Sequence, residues 1–292
     1  MKIGVLAQRP DEWHVERLLE ALRRRDVEAY HLPPTRFLSR IGLRPRVSIR
    51  GYPIDDYDAI IVRRVPGGSP EQVFYRMDVL HRLEDLGIYL MNSAESIERA
   101  VDKYYTSTLL EDAGIKTPRT VVTESYREAM EAFEELGGDV VVKPLFGSFG
   151  VGMIRVSDPD LAHRVFRAIE LIRGVYYLQE YIPHRKRDIR AFVIGDRVVA
   201  SMMRIGADWR TNISRGGRAK PLTLDSELEE LSIRAARVIG LEYAGVDILP
   251  SEDGEYYITE VNSAPGWRGL QGVTDVDIAE ALVDHLLSRL GS

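Results

Sequence analysis

Two short runs near the end of the chain constrain its fold most. In Ala244-Gly245-Val246-Asp247-Ile248-Leu249 and in Tyr257-Ile258-Thr259-Glu260-Val261-Asn262, apolar and polar residues alternate, and Glu252-Asp253-Gly254 lies between them as a turn signal. The pattern predicts an antiparallel hairpin. Glu260 and Asn262, two residues apart, then share one face, and Asp247 on the facing strand joins them. Two carboxylates and an amide are hard oxygen ligands suited to magnesium, with water and substrate phosphates completing the shell. A solvated polar hairpin face would show the same alternation, and these residues alone leave both readings open.

A chain of 292 residues can bury a large core and points to two domains, or to one with an appended lobe. A net charge of −6 argues against nucleic acid as a partner. The basic clusters Arg23-Arg24-Arg25 and Arg185-Lys186-Arg187 are too short to alter that, and the first is expected on a solvated helix face. Without cysteine there are no disulfides, thiolate metal sites or cysteine nucleophiles, which is compatible with a reducing cytoplasm. No apolar stretch has the length of a signal core or a membrane span, so a soluble cytoplasmic protein without a membrane partner is expected.

From residue 2 to about 95, strand and helix patterns alternate, which predicts an open parallel sheet with helices on its faces. Pro33 to Pro53 has no clear period and reads as a loop with one short strand, Arg46 to Arg50. No Gly-x-Gly-x-x-Gly follows the first strand, so substrate recognition is a more natural role for this sheet than dinucleotide binding. Two helices are expected over residues 94–113, with Asp102-Lys103-Tyr104 opening the second. A compact α+β section follows to Tyr181. The last part has strands near 188–194 and 197–204, a polar loop to about 222, a helix near 225–239, the hairpin and a closing helix.

Lys143 ends the strand Val140-Val141-Val142-Lys143-Pro144, and Gly147-Ser148-Phe149-Gly150-Val151-Gly152 follows. Such a loop leaves backbone N–H groups uncovered for phosphate oxygens while the lysine supplies charge. It is not a Walker loop, since no Lys-Ser or Lys-Thr follows the last glycine; a mobile hairpin is the alternative. Gln179-Glu180-Tyr181-Ile182 closes a strand, where exposed backbone groups can read an adenine edge. Asp188, after a basic loop, suits ribose hydroxyls.

Taken in order, Asp102-Lys103, Val142-Lys143-Pro144, the glycine-rich loop, Gln179-Glu180-Tyr181, Asp188-Ile189-Arg190, Asp247 and Glu260-Val261-Asn262 resemble the ATP-grasp ligases from about residue 95 to the end. Within that superfamily, Arg187 to Val193, Trp209 to Gly217 and Glu260 to Gly266 look like the RimK-type amino-acid ligases. The resemblance implies an α/β chain of the α+β ATP-grasp kind. A pre-ATP-grasp open parallel-sheet domain over residues 1–95 would precede a central lobe with a glycine-rich lid over 96–178 and a C-terminal lobe with the magnesium site over 179–292. It also implies that ATP phosphorylates a carboxylate and that an amine, L-glutamate, displaces phosphate from the acyl phosphate. Magnesium, with manganese as a substitute, would assist, and a homodimer or homotetramer is implied.

Carried over by residue, Lys103 and Lys143 bind phosphate under Gly147, Ser148, Gly150 and Gly152. Gln179, Glu180, Tyr181 and Ile182 hold adenine, Asp188 holds ribose, and Arg210 and Asn212 reach the phosphates. Asp247, Glu260 and Asn262 hold the metal. Arg190, Arg204 and Arg215 face phosphate or the acceptor carboxylate in catalytic roles, although each arginine alone also suits a surface ion pair. Arg76 to Leu80, Thr120 to Ser125, Met203 to Gly206, Gly216 to Arg218 and Pro265 to Leu270 look most like the archaeal ligases that add α-linked L-glutamate to tetrahydromethanopterin. A carboxylate-bearing small molecule is therefore the expected acceptor, with a deazaflavin coenzyme, carrier-bound aminoadipate or a ribosomal protein tail as rivals. A regulator that binds nucleotide without turnover is the reading from another class; both phosphate lysines and all three metal ligands speak against it. Trp267 is expected either to stack on a pterin or to anchor the closing helix.

Overall fold

The computed structural model describes residues 1–147, 151–213 and 216–291. The first sheet is built from β1 (Lys2–Leu6), β2 (Glu28–Leu32), β6 (Ala59–Val62) and β7 (Tyr89–Met91), all parallel, in the order β2-β1-β6-β7. β1 and β6 are near-continuous apolar runs because helices cover both faces: α1 (Trp13–Arg23) on one, α2 (Pro70–Asp85) on the other. Ser69 and Gln72 form a reciprocal capping box at the start of α2, with Pro70 at its first position. Between β2 and β6 the chain makes a three-stranded antiparallel sheet of β3 (Phe37–Ser39), β4 (Val47–Ile49) and β5 (Tyr52–Pro53), where the sequence suggests one strand. The strands are too short for a period to show, and β4 is tied down by Asp55, whose carboxylate accepts the N–H groups of Arg46 and Val47 at 2.6 and 2.7 Å.

After β7, Ser93 caps α3 (Ala94–Val101) and Asp102 caps α4 (Lys103–Asp112), so Lys103 is the first helical residue of α4. The next sheet is antiparallel, with β8 (Thr120–Thr123), β9 (Val140–Lys143), β10 (Ile154–Val156) and β11 (Tyr176–Glu180) in the order β10-β9-β11-β8. Helices α5 (Tyr126–Glu135) and α6 (Pro159–Leu171) pack on one face around Phe133, Phe166 and Tyr176, a core cluster separate from the others. The third sheet holds β12 (Arg187–Ile194), β13 (Arg197–Ile205), β14 (Arg218–Pro221), β15 (Tyr243–Pro250) and β16 (Tyr256–Asn262) in the order β14-β13-β12-β15-β16. β14 falls where a polar loop is expected; it is an edge strand whose exposed Arg218 and Lys220 hide its character. Helix α7 (Ser226–Ile239) covers one face of this sheet. The short α8 (Arg268–Gln271) and α9 (Ile278–Leu290) lie on the other side, in the core cluster that contains α1.

That shared core joins the first sheet to the third. Ion pairs line its rim: Arg17 to Asp277 at 2.5 Å, Arg24 to Glu280 at 2.8 Å, and Arg25 to Asp284 at 2.5 Å and to Glu280. Arg23 and Arg24 are exposed, as expected of a solvated face, while Arg24 and Arg25 also pair with acidic residues of α9. Their partners lie some 255 residues away, where local pattern cannot reveal them. Trp267 is 0 % exposed, with edge-on rings from Trp13, His14 and Phe192 and the Arg63 guanidinium 4.5 Å from its ring centre. It packs the joint and has no face to offer a pterin. Trp267→Ala is expected to destabilise the protein by about 3–5 kcal/mol, read from the urea midpoint. A loss below about 1 kcal/mol would contradict this placement.

Candidate functional site

The hairpin register decides the geometry. Asp247 on β15 faces Glu260 on β16, and Gly245 faces Asn262. Beyond Asp247 the ladder shifts so that Ile248 faces Ile258, which leaves Thr259 as an extra residue. The Thr259 hydroxyl donates back to the Asp247 carbonyl at 3.3 Å. On the other side of β15, Arg190 of β12 stands directly opposite Asp247, and Asp188, two residues earlier on the same face, stands opposite Arg204 of β13. Charges of alternating sign therefore run across three strands. Arg190 Nε and Nη2 lie 2.5 and 2.9 Å from the Asp247 oxygens, and Arg204 Nη2 reaches Oδ1 at 3.0 Å. Arg204 also grips both oxygens of Asp188, at 2.7 and 2.5 Å. Gly245 makes this possible: a Cβ there would lie 2.4 Å from Arg190 Nη1.

Arg190, Arg204, Asp188 and Asp247 are each buried. Burial pulls the Arg204 guanidinium down, but Asp247 and Asp188 outweigh it and hold its pKa above the usual arginine value. Glu260 is different. Among the described residues its carboxylate makes no hydrogen bond or ion pair, and burial together with Asp247 pushes its carboxyl above the usual carboxylate range, against the pull of Arg190, Lys103 and Lys143. An unbonded carboxylate of raised pKa beside a second carboxylate fits a bound divalent cation. Asn262 donates its amide weakly to the Gly245 carbonyl, at 3.4 Å.

Both lysines converge here. Lys143, at the end of β9, donates to Gln179 Oε1 at 2.6 Å, and Gln179 is itself held by Thr120 and Tyr177. Burial and the charge of Lys103 push the Lys143 ammonium down to about 8, with Glu260 and Asp247 acting the other way. Lys103 donates to the Gly147 carbonyl at 2.9 Å and to that of Leu145 at 3.4 Å, so it grips the entry to the glycine-rich loop. One turn on, Ser107 and the Tyr177 hydroxyl are hydrogen-bonded at 2.9 Å, which puts two contacts to the central sheet on one face of α4. Burial lowers the Lys103 pKa as well, against Glu260 and Asp102. Gly152 has φ +80°, a conformation that suits glycine. Ser148, Gly150 and Arg215 lie outside the described residues.

The remaining positions are more committed to their neighbours. The Glu180 carboxylate accepts from the Arg119 N–H and Nε at 2.8 and 2.7 Å. The Tyr181 ring lies under the Arg155 guanidinium, 3.5 Å away, and the Tyr181 N–H donates to the Asp139 carbonyl. Ile182 is buried, with its carbonyl 3.0 Å from His184 Nδ1. Gln179 orients Lys143. Arg210 pairs with Asp208 at 2.8 Å, outside the acidic centre, and the Asn212 carbonyl receives the Gly217 N–H. Sequence reasoning misses Asn92, a buried amide bonded to Tyr243 and Ser263. It follows an apolar strand beside the helix-capping Ser93, and nothing in the local sequence points to its partners on another sheet.

Two lysines from separate elements facing a pair of carboxylates, between an antiparallel central lobe and a second antiparallel sheet, define an ATP-grasp ligase, an enzyme that forms amide bonds with release of ADP. Residues 1–97 match the RimK PreATP-grasp domain and residues 100–286 the RimK-like ATP-grasp domain, so the chain belongs to the RimK-like ATP-grasp family. It is 35 % identical over 302 residues to the tetrahydromethanopterin:alpha-L-glutamate ligase of Methanocaldococcus jannaschii, covering 100 % of both chains. It is 36 % identical to a probable alpha-L-glutamate ligase of Pseudomonas aeruginosa, over 98 % of this chain and 95 % of the relative. The structure of the ATP-grasp ligase PsnB complexed with minimal precursor superposes with a TM-score of 0.79 at 26 % identity, covering 99 % of each chain. ATP and magnesium are the cofactors of ATP-grasp ligases.

A depressed lysine pKa predicts a pH effect of defined sign. Lys143 is charged below about 8 and loses its proton as the pH rises through that value in the free protein. ATP affinity is expected to weaken above pH ~8, while Lys143→Ala binds about tenfold more weakly at pH ~7 and converges with the wild type as the lysine discharges. Titrations at several pH values check this; parallel curves would contradict it.

Proposed function

We propose that the protein is an ATP-dependent ligase that adds L-glutamate to a carboxylate-bearing small molecule through an acyl phosphate, with a tetrahydromethanopterin-type pterin as the acceptor. The observation that carries the reading is that Lys103, Lys143 and Asp247 all act electrostatically on a Glu260 carboxylate that has no bonded partner among the described residues. The names of the relatives from Methanocaldococcus jannaschii and Pseudomonas aeruginosa support glutamate as the incoming amine, and the first supports the pterin.

In this reading Lys103 and Lys143 supply positive charge where phosphoryl charge accumulates. Asp247, Glu260 and Asn262 hold magnesium, which when bound neutralises phosphate oxygens; manganese is expected to replace it. The strand end at Glu180 and Ile182 receives adenine through its backbone, and Asp188 lies toward the ribose. Arg190 and Arg204 hold Asp247 and Asp188 in place by ion pairing, and Arg210 and Asn212 are assigned to the nucleotide phosphates. No helix among the described residues is long and apolar enough to cross a membrane.

The test is an incubation with ATP, magnesium and glutamate, with candidate acceptors screened by mass spectrometry. A glutamyl increment on tetrahydromethanopterin, with equimolar ADP, is the expected result. Lys143→Ala and Glu260→Ala are each expected to lower turnover by about a hundredfold or more. An increment on a deazaflavin or a protein tail would move the acceptor and keep the chemistry; ADP release without any glutamyl product would reject the ligation.

A further inference from the structure

The β15–β16 ladder ends at the pair Gly245 and Asn262, beside the carboxylates, and a side chain from another sheet takes its place there. Asn92, 0 % exposed, follows β7 of the first sheet. Its Nδ2 donates to the Tyr243 carbonyl at 2.9 Å and to the Ser263 carbonyl at 2.8 Å. Its Oδ1 accepts the N–H groups of Glu242 at 2.7 Å and Tyr243 at 3.1 Å. Two donors meet two carbonyls and one oxygen meets two N–H groups, so the orientation of the amide is unambiguous. The carboxamide acts as a peptide unit placed between two parting strands. Tyr243 lies four residues before Asp247, and Ser263 is the residue after Asn262.

We propose that Asn92 is a positioning residue: it sets the separation of β15 and β16 at the Asn262 end and so aligns Asn262 and Glu260 with Asp247. The inference rests on the reading of Asp247, Glu260 and Asn262 as metal ligands.

No isosteric substitute meets the same partners. The substitution Asn92→Asp would set a carboxylate against two carbonyl oxygens in a buried site, and the strands would have to part to relieve it.

Calorimetric titration of the intact chain with ADP, with and without magnesium, separates positioning from general weakening of the joint. The wild type is expected to bind ADP at least tenfold more tightly with magnesium. Asn92→Asp is expected to lose about tenfold of that enhancement, the size of one or two buried hydrogen bonds, while its metal-free affinity stays within about twofold. Should that variant not fold, Asn92→Ser, which removes both amide donors without adding charge, gives the same comparison. An unchanged enhancement overturns the proposal, and so does an equal loss with and without magnesium. A wild-type chain that shows no enhancement rejects the metal-site reading, and the proposal falls with it.

Discussion

The buried row of Arg204, Asp188, Asp247 and Arg190 is the interaction on which the site depends. Breaking such a row by removing one member leaves an unpaired buried charge, a loss of about 3–5 kcal/mol. Its members come from three adjacent strands, so the row also locks the register of β12, β13 and β15. Asp247 is paired with two guanidinium groups, whereas the carboxylate facing it on β16 has no arginine bonded to it. Glu260 is left under the electrostatic pull of Lys103, Lys143 and Arg190 without a bonded partner among the described residues. Stability alone would not call for these four residues, since a buried apolar set of similar volume often serves as well.

The central sheet has a core of its own and meets the helix that begins at Lys103 through polar contacts: Lys103 on the glycine-rich loop and Ser107 on Tyr177. The first and third sheets, by contrast, share one core through α1, α9 and Trp267. The two lysines therefore straddle parts of the fold that are joined unequally. Lys143 belongs to the central sheet, while Lys103 starts a helix packed on the third. A nucleotide held by both would bring the two together, which suits chemistry that must exclude water.

Much of this is legible in the sequence because period-2 alternation is strong where one sheet face is polar for a reason. The β15–β16 hairpin, the parallel first sheet and the strand ending at Lys143 all follow from such patterns. What alternation cannot give is the partner of a charge. By motif alone Arg190 and Arg204 go to substrate, because nothing in their local sequence points to Asp247, 57 residues beyond Arg190. Trp267 and the Arg24–Arg25 pair are hidden for the same reason, their environments being made by residues roughly the length of the chain away. β14 and the small β3–β5 sheet escape notice because short, charged or Pro-flanked strands carry no period. The bulge at Thr259 has no sequence mark either, yet it brings Glu260 opposite Asp247.

The central claim is that Asp247, Glu260, Lys103 and Lys143 form one centre for a metal and a nucleotide's phosphates. The most direct measurement is a crystal structure with ADP and manganese, with the metal located by anomalous scattering. The account predicts a peak within about 2.5 Å of a Glu260 oxygen and an Asp247 oxygen, with a phosphate between the peak and Lys143. A metal bound elsewhere, or a nucleotide whose phosphates lie out of reach of both lysines, would contradict it.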